Sequence, residues 1–456
     1  MNDQPQVTQR WYAGLTGYHW LVLVIASLGW VFDIFEGQIF VASMEEMAGD
    51  LLKELSEGAR ERHNTTAFSF YLIGGALGGV FFGALSDRIG RTRTMILTIL
   101  MYSLFTCLTA FAQAWWQVLV LRFLVALGTG GEWAVASAMV AEVFPQRARA
   151  WSLGIFHASS VLGTWLASLA GAVVVANPAL GWRGAFLIGV LPALLTLWIR
   201  WRLREPDRWV KARQLAAEDH TQRTGRLQDL FAPGLAKNTL IGISLATIGL
   251  ATFWGVHVFG KNLLRQWADG HYPVAAAAGD PGGVSAGQPD QAWRQAAVKR
   301  WEMLGMFLVT TGGGLGLVSF GPICERIGRR GAFLFFHLGG LASALIVFQL
   351  LGGQSPYVLC PALFVFGFLT LGMHAGYAIY FPELFPTRLR GTGAGLCFNG
   401  GRLLAASVIW VRGWMRDEEL MGLTLEDTVS ILSLLFLVGA ALLLVAPETK
   451  GRDLPT

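Results

Sequence analysis

Twelve apolar runs, each long enough to cross a lipid bilayer, dominate this chain of 456 residues. A helix needs about 20 predominantly apolar residues to span the hydrocarbon. The runs fall near 19–43, 66–85, 94–113, 116–143, 151–176, 183–203, 236–262, 301–321, 331–352, 356–382, 391–413 and 428–446. Alternation of period two is absent over these lengths, which excludes membrane strands. Charged residues make up only 14% of the chain, against about 25% in a soluble one. That excludes a disordered, collagen-like or small disulfide-stapled chain and argues against a nucleic-acid partner. The four cysteines, Cys107, Cys324, Cys360 and Cys397, show no metal-ligand spacing and read as small apolar side chains. The first run exceeds the roughly 7–15 residues of a signal core, so it is expected to be a retained span.

Basic residues set the orientation. With the N-terminus cytoplasmic, 22 of the 35 Lys and Arg residues fall in inner segments and 11 in outer ones. Cytoplasmic loops carry such an excess. Both termini are expected inside, in a plasma (inner) membrane, and the net charge of +5 follows from loop placement. Residues 266–300, rich in Gly, Ala, Pro and Asp, read as an irregular outer loop. The acidic stretch Glu45–His63 reads as a short extramembrane hairpin or helix.

The chain also repeats itself. Gly83-Ala84-Leu85-Ser86-Asp87-Arg88-Ile89-Gly90-Arg91 matches Gly321-Pro322-Ile323-Cys324-Glu325-Arg326-Ile327-Gly328-Arg329. Glu142-Val143-Phe144-Pro145-Gln146-Arg147-Ala148-Arg149 matches Glu383-Leu384-Phe385-Pro386-Thr387-Arg388-Leu389-Arg390, and Glu205-Pro206 falls opposite Pro447-Glu448. The expected fold is an all-α membrane protein with twelve transmembrane helices in two six-helix bundles. Residues 1–203 and 236–456 form the bundles and 204–235 a cytoplasmic linker. Parallel bundles facing each other place a solute site between them near the bilayer midplane.

With these motifs the chain resembles the major facilitator superfamily over essentially its whole length. The basic turn and its copy resemble the superfamily's loop between spans two and three. Arg122, the run Gly128, Gly130, Gly131 and Glu132, followed by Glu142, Pro145 and Arg149, resembles the span-four signature of metabolite:proton symporters. Glu383 to Thr387 and Pro447 to Gly451 resemble sugar porters.

The turns are expected to gate. Asp87, Arg88, Arg91, Glu142 and Arg149 in the first half, and Glu325, Arg326, Arg329, Glu383 and Arg390 in the second, form an expected cytoplasmic ion-pair latch in each half. Carboxylates accept bidentate hydrogen bonds from arginine in such clusters. The plainer reading is a set of solvated topology anchors.

Ionisable groups within spans cost about 2.5–3.5 kcal/mol on insertion scales and mark function. Span one carries Asp33 and Glu36 on one face, span four Arg122 and Glu132, and span eleven Arg402. A helical rise of 1.5 Å per residue puts Glu36 about 10 Å and Arg122 roughly 9 Å from the outer surface, matched in depth. The resemblance implies that an acid of span one pairs with the span-four arginine and carries the coupled proton. Burial favours the neutral carboxyl and a nearby guanidinium favours the charged one. Glu36 is the first choice and Asp33 the second; a static ion pair is the alternative. Glu132 is either a second proton station or part of an interhelix bond.

Arg402, with Asn399 one turn earlier, suits a substrate carboxylate. His374 and Tyr377 on span ten, and Trp254 and His257 on span seven, are candidate cavity residues; interhelix hydrogen bonding is their plainer role. Tryptophans such as Trp115, Trp116, Trp198, Trp201 and Trp301 read as an interfacial belt. No nucleotide loop, zinc helix or nucleophile elbow appears, and no cofactor or metal is expected.

The expected function is secondary active transport, the proton-coupled symport of a small polar solute by alternating access, with an organic acid favoured. A sugar or polyol porter, or a facilitator of the same fold, is the first alternative. A membrane-embedded enzyme is the second, and a non-transporting sensor the third. The expected partners are a small-molecule substrate, protons and the lipid bilayer, around a monomer.

Overall fold

Helix bounds follow from where the apolar runs meet glycine, proline and charge. The computed structural model describes residues 10–55, 57–175, 179–218, 224–272, 291–416 and 421–455, and no strand forms among them. The first half opens with α1 (Gly17–Leu51), α2 (Glu57–Ile89), α3 (Arg91–Thr109) and α4 (Trp115–Val143), the first four crossings. Crossing five is divided into α5 (Gln146–Ala158), α6 (Ser160–Ala170) and a wide turn Gly171–Val175. It breaks at Ser159, whose hydroxyl donates back to the carbonyl of Phe156 at 2.6 Å. Such local bonds compete with the helical ladder. Crossing six is α7 (Gly181–Ile188) and α8 (Pro192–Arg202), interrupted just before Pro192. A proline removes a helical donor and is tolerated only in a first turn.

A surface helix, α9 (Asp207–Glu218), lies in the link between the halves. The second half continues with α10 (Ala236–Gly255) and α11 (Gly260–His271), together crossing seven. Crossings eight and nine lie in α12 (Gln291–Leu345), folded back at Gly328. Crossing ten is α13 (Pro356–Leu371) with α14 (His374–Leu384), eleven is α15 (Arg390–Arg416), and twelve is α16 (Leu425–Ser433) with α17 (Leu435–Leu442). Twelve crossings in this order give the expected fold. The stretch 266–300 is not one irregular loop: helix reaches His271 and resumes at Gln291, with 273–290 outside the described residues. Glu45–His63 is likewise absorbed, α1 running to Leu51 and α2 starting at Glu57. Of the tryptophans expected at interfaces, Trp116, Trp198 and Trp201 are exposed, whereas Trp115 is buried.

The repeated basic turns share one construction. Gly90 (φ 116°) and Gly328 (φ 87°) reverse the chain in a backbone region that only glycine enters freely. Each new helix start is then capped from the end of its own half. Glu205 accepts from the backbone N–H of Arg91 at 2.7 Å and of Thr92 at 3.1 Å. Glu448 accepts from Arg329 at 3.0 Å and Arg330 at 3.1 Å. Burial alone would raise the Glu448 carboxyl, but the N–H groups of Arg329, Lys450 and Arg330 outweigh it and hold it below its ordinary range.

The halves meet along two seams, α2 against α15 and α5 against α12. In the first seam, glycines of α2 face the backbone and side chains of α15. A Cβ on Gly83 would fall 2.6 Å from the Gly391 carbonyl, so glycine is what allows the helices to touch there.

Candidate transport site and its gate

Where the seams reach the side that carries the chain ends, charged groups lock the halves together. Asp87, wholly buried, accepts from Arg91 at 2.5 Å, from the N–H of Gly391 at 3.1 Å and of Thr392 at 2.8 Å, and from the Thr392 hydroxyl at 2.5 Å. Arg91 also reaches Glu142 at 2.8 Å and the Thr387 carbonyl at 3.1 Å. Glu142 in turn holds Arg390 at 2.8 Å. One buried cluster of alternating charge therefore spans both halves.

In the second half, Arg329 binds Glu325 at 2.7 Å and Glu383 at 2.9 Å, and Glu383 accepts from the Thr449 hydroxyl at 2.6 Å. Its link to the first half is Arg149, 3.9 Å from Glu383. Arg88 and Arg326 stand outside these clusters. The Arg88 guanidinium donates to the Gly225 carbonyl at 3.1 Å, and the Arg326 side chain is exposed.

Deeper in the first half, Glu36 and Arg122 meet at 2.5 Å. Arg122 also donates to the Thr109 hydroxyl at 2.9 Å, and the rings of Phe40 and Phe186 lie 5.3 and 4.9 Å from its guanidinium carbon. The pair is sealed. Asp33, one turn away, is not in it. Arg402 reaches across from α15 beside Gly75 and lies 5.4 Å from the centre of the Phe398 ring. Glu132 is fully buried and accepts one hydrogen bond, from Thr98 at 2.6 Å, while Oε1 has no partner.

The other expected substrate contacts are occupied by packing. Asn399 donates to the carbonyls of Gly130 at 3.4 Å and Gly395 at 3.2 Å, so it serves the seam. His374 pairs with the Gly249 carbonyl at 3.2 Å, Tyr377 donates to that of Leu245 at 3.1 Å, and His257 meets the Thr370 hydroxyl at 2.7 Å. Trp254 packs edge-on against Phe253. His374 and Tyr377 thus each bond between helices. The polar groups at this depth are buried and must find partners there.

Several contributors escaped the sequence reading. Trp209 of α9 donates to the Asp87 carbonyl at 2.9 Å, fastening the linker to the gate. Pro455 offers its carbonyl to Arg390 at 2.9 Å. Trp133 donates to His157 at 3.1 Å and stacks on Phe398 of the other half at 4.1 Å. Only the Glu205 and Glu448 caps left a signal, the matching spacing of their Glu-Pro and Pro-Glu pairs.

A buried charge network joins the two six-helix halves. The family model described as Major Facilitator Superfamily matches residues 20–409, and the chain belongs to that family; it is a transporter and not an enzyme. It is similar to a putative metabolite transport protein of Haemophilus influenzae (28% identical, covering 96% of this chain and 99% of the relative). A cis,cis-muconate transport protein of Acinetobacter baylyi is 29% identical, with 78% of this chain and 79% of the relative covered. The niacin transporter NiaP of the same organism is 27% identical, with 96% of both chains covered. Among solved structures, the proton:xylose symporter XylE bound to 6-bromo-6-deoxy-D-glucose aligns with a TM-score of 0.73 at 18% identity, covering 96% of this chain and 98% of that one.

Proposed function

We propose that the protein is a proton-coupled symporter importing a small organic acid by alternating access, as a monomer with both termini cytoplasmic. Residues 1–203 and 236–456 are the rocking units and 204–235 tethers them. The observation that carries this reading is a cation of the second half, Arg402 of α15, reaching into the first half beside Gly75 of α2. A substrate carboxylate binds that guanidinium through charge-assisted hydrogen bonds. The muconate and niacin relatives support an acid as cargo.

The test is solute-dependent pH change in proteoliposomes, with radiolabelled nicotinate as the probe and benzoate or a hexose as competitors. Competition by benzoate and alkalinisation outside supports the reading; competition by the hexose alone moves the assignment to a sugar porter. Arg402→Gln is expected to raise the KM for nicotinate roughly tenfold to a hundredfold, the loss of a charge-assisted bond of about 1.5–3 kcal/mol.

The sealed Glu36–Arg122 pair asks for its own check. Removing one partner of a buried pair costs about 3–5 kcal/mol because the other charge is stranded. Glu36→Gln is expected to lower the melting temperature sharply, and Glu36→Gln with Arg122→Met to recover most of it.

A further inference from the structure

Glu132 is chemically unlike the buried acids that hold a cation. Asp87, Glu142 and Glu383 each hold an arginine in the gate, and Glu36 holds Arg122. Among the described residues no lysine or arginine pairs with Glu132. Its surroundings can be named helix by helix. From α3 come Thr98, the one hydrogen-bond donor, and Tyr102. From α1 come Asp33, a like charge, and Gly29, where an added Cβ would fall 2.5 Å from Oε1. The α2 side offers the ring of Phe82 beside Gly131. On α15, Phe398 stacks on the neighbouring Trp133, Asn399 donates to the Gly130 carbonyl, and Arg402 lies beside Gly75 of α2. His157 of α5 is bonded to Trp133.

A carboxylate held this way would be a buried charge with one bond and no counterion, which is the costly state. A carboxylic acid in the same place has no charge to compensate. We propose that Glu132 carries the coupled proton while the terminus-side gate is shut. This inference rests on the proton-coupled reading above and names its carrier. A proton from water adds to a Glu132 carboxylate oxygen as the O–H bond forms. On the opposite side of the cycle that bond breaks, the proton returns to water and the carboxylate is left hydrated.

The timing is built into the chain. Glu132 precedes Trp133, whose ring stacks on Phe398 of the other half, and follows Gly130 and Gly131, whose backbone meets α2 and α15. Rocking the halves pulls Phe398 from Trp133, the next residue along α4, so movement at the seam reaches the turn that carries Glu132. The Glu36–Arg122 pair has no such link to the seam. Its groups are enclosed by Phe40, Phe186 and Thr109, all of the first half.

The test combines infrared spectroscopy of the purified full-length protein with uptake of radiolabelled nicotinate into proteoliposomes under an imposed inward proton gradient. At neutral pH the wild type is expected to show a protonated-carboxyl band. Glu132→Gln deletes that band and abolishes accumulation. Asp33→Asn and Glu36→Gln keep the band. Thr98→Val shifts the band without deleting it; loss of accumulation with exchange of nicotinate retained in Glu132→Gln is the signature that a purely structural acid would not give. If the band survives Glu132→Gln while the wild type concentrates nicotinate, the inference falls and the coupled reading stands. If the wild type concentrates neither nicotinate, benzoate nor a hexose, the coupled reading falls and takes the inference with it.

Discussion

The two basic turns are copies in sequence and opposites in use. Asp87 is wholly buried and fastens onto Gly391 and Thr392 of the other half. Glu325, its counterpart, keeps 31% of its side chain exposed and binds Arg329 within its own half. Both turns bring backbones close: Gly83 lies against the Gly391 carbonyl and Gly321 against that of Ala150. The difference is in what the facing helix offers. Where Asp87 finds two N–H groups and the hydroxyl of Thr392, the position equivalent to Thr392 in the other half is Trp151, whose ring stacks on Trp11 at 5.3 Å. A repeated motif thus preserves the turn and the cap, while the bond across the halves survives on one side. On the other side the cross-half ion pair is the longer one, Arg149 to Glu383 at 3.9 Å.

That asymmetry can be broken deliberately. The largest effect is expected from Asp87→Asn, which removes a buried charge that crosses the seam and leaves Arg91 under-compensated. A loss of about 3–5 kcal/mol for such a pair would open the terminus side in most molecules. Alkylation of cysteines placed on the terminus side of the seam reads this out, and unchanged labelling would refute the latch. Next comes Arg390→Gln, which breaks the 2.8 Å bond to Glu142. Its effect should exceed that of Arg149→Gln, whose bond to Glu383 spans 3.9 Å. Equal labelling in the two variants would make the latch symmetric after all.

Glu325→Gln is expected to shift labelling little, since a partly exposed pair is worth at most about 1 kcal/mol. The smallest effect belongs to Asp50 and Arg183, an exposed pair away from the gate. The hydrogen bond from Arg183 holds the Asp50 carboxyl below its ordinary range. A depressed carboxyl contributes stability above its unfolded value, about pH 3.9, and loses it as pH falls through the folded one. Arg183→Gln should therefore lower thermal stability slightly at neutral pH and not at all in strong acid.

Much of this was legible in the sequence because lipid imposes length and the repeat imposes symmetry. The spans, the turns and the depth match of Glu36 with Arg122 all follow from helical rise and apolar runs. What could not be read was the partner of each polar group once helices pack. His374, Tyr377 and His257 looked available because spacing shows only that they share a face. Whether a carbonyl of α10 or a hydroxyl of α13 waits opposite depends on rotation and register between helices. The same limit hid the cross-half role of Thr392 and the isolation of Glu132.

Pro455 lies with its carbonyl against the guanidinium that Glu142 also holds. A backbone carbonyl beyond Leu442, where the last helix ends, thus shares one guanidinium with the acid that joins the halves, so displacing residue 455 would leave Arg390 with one acceptor fewer.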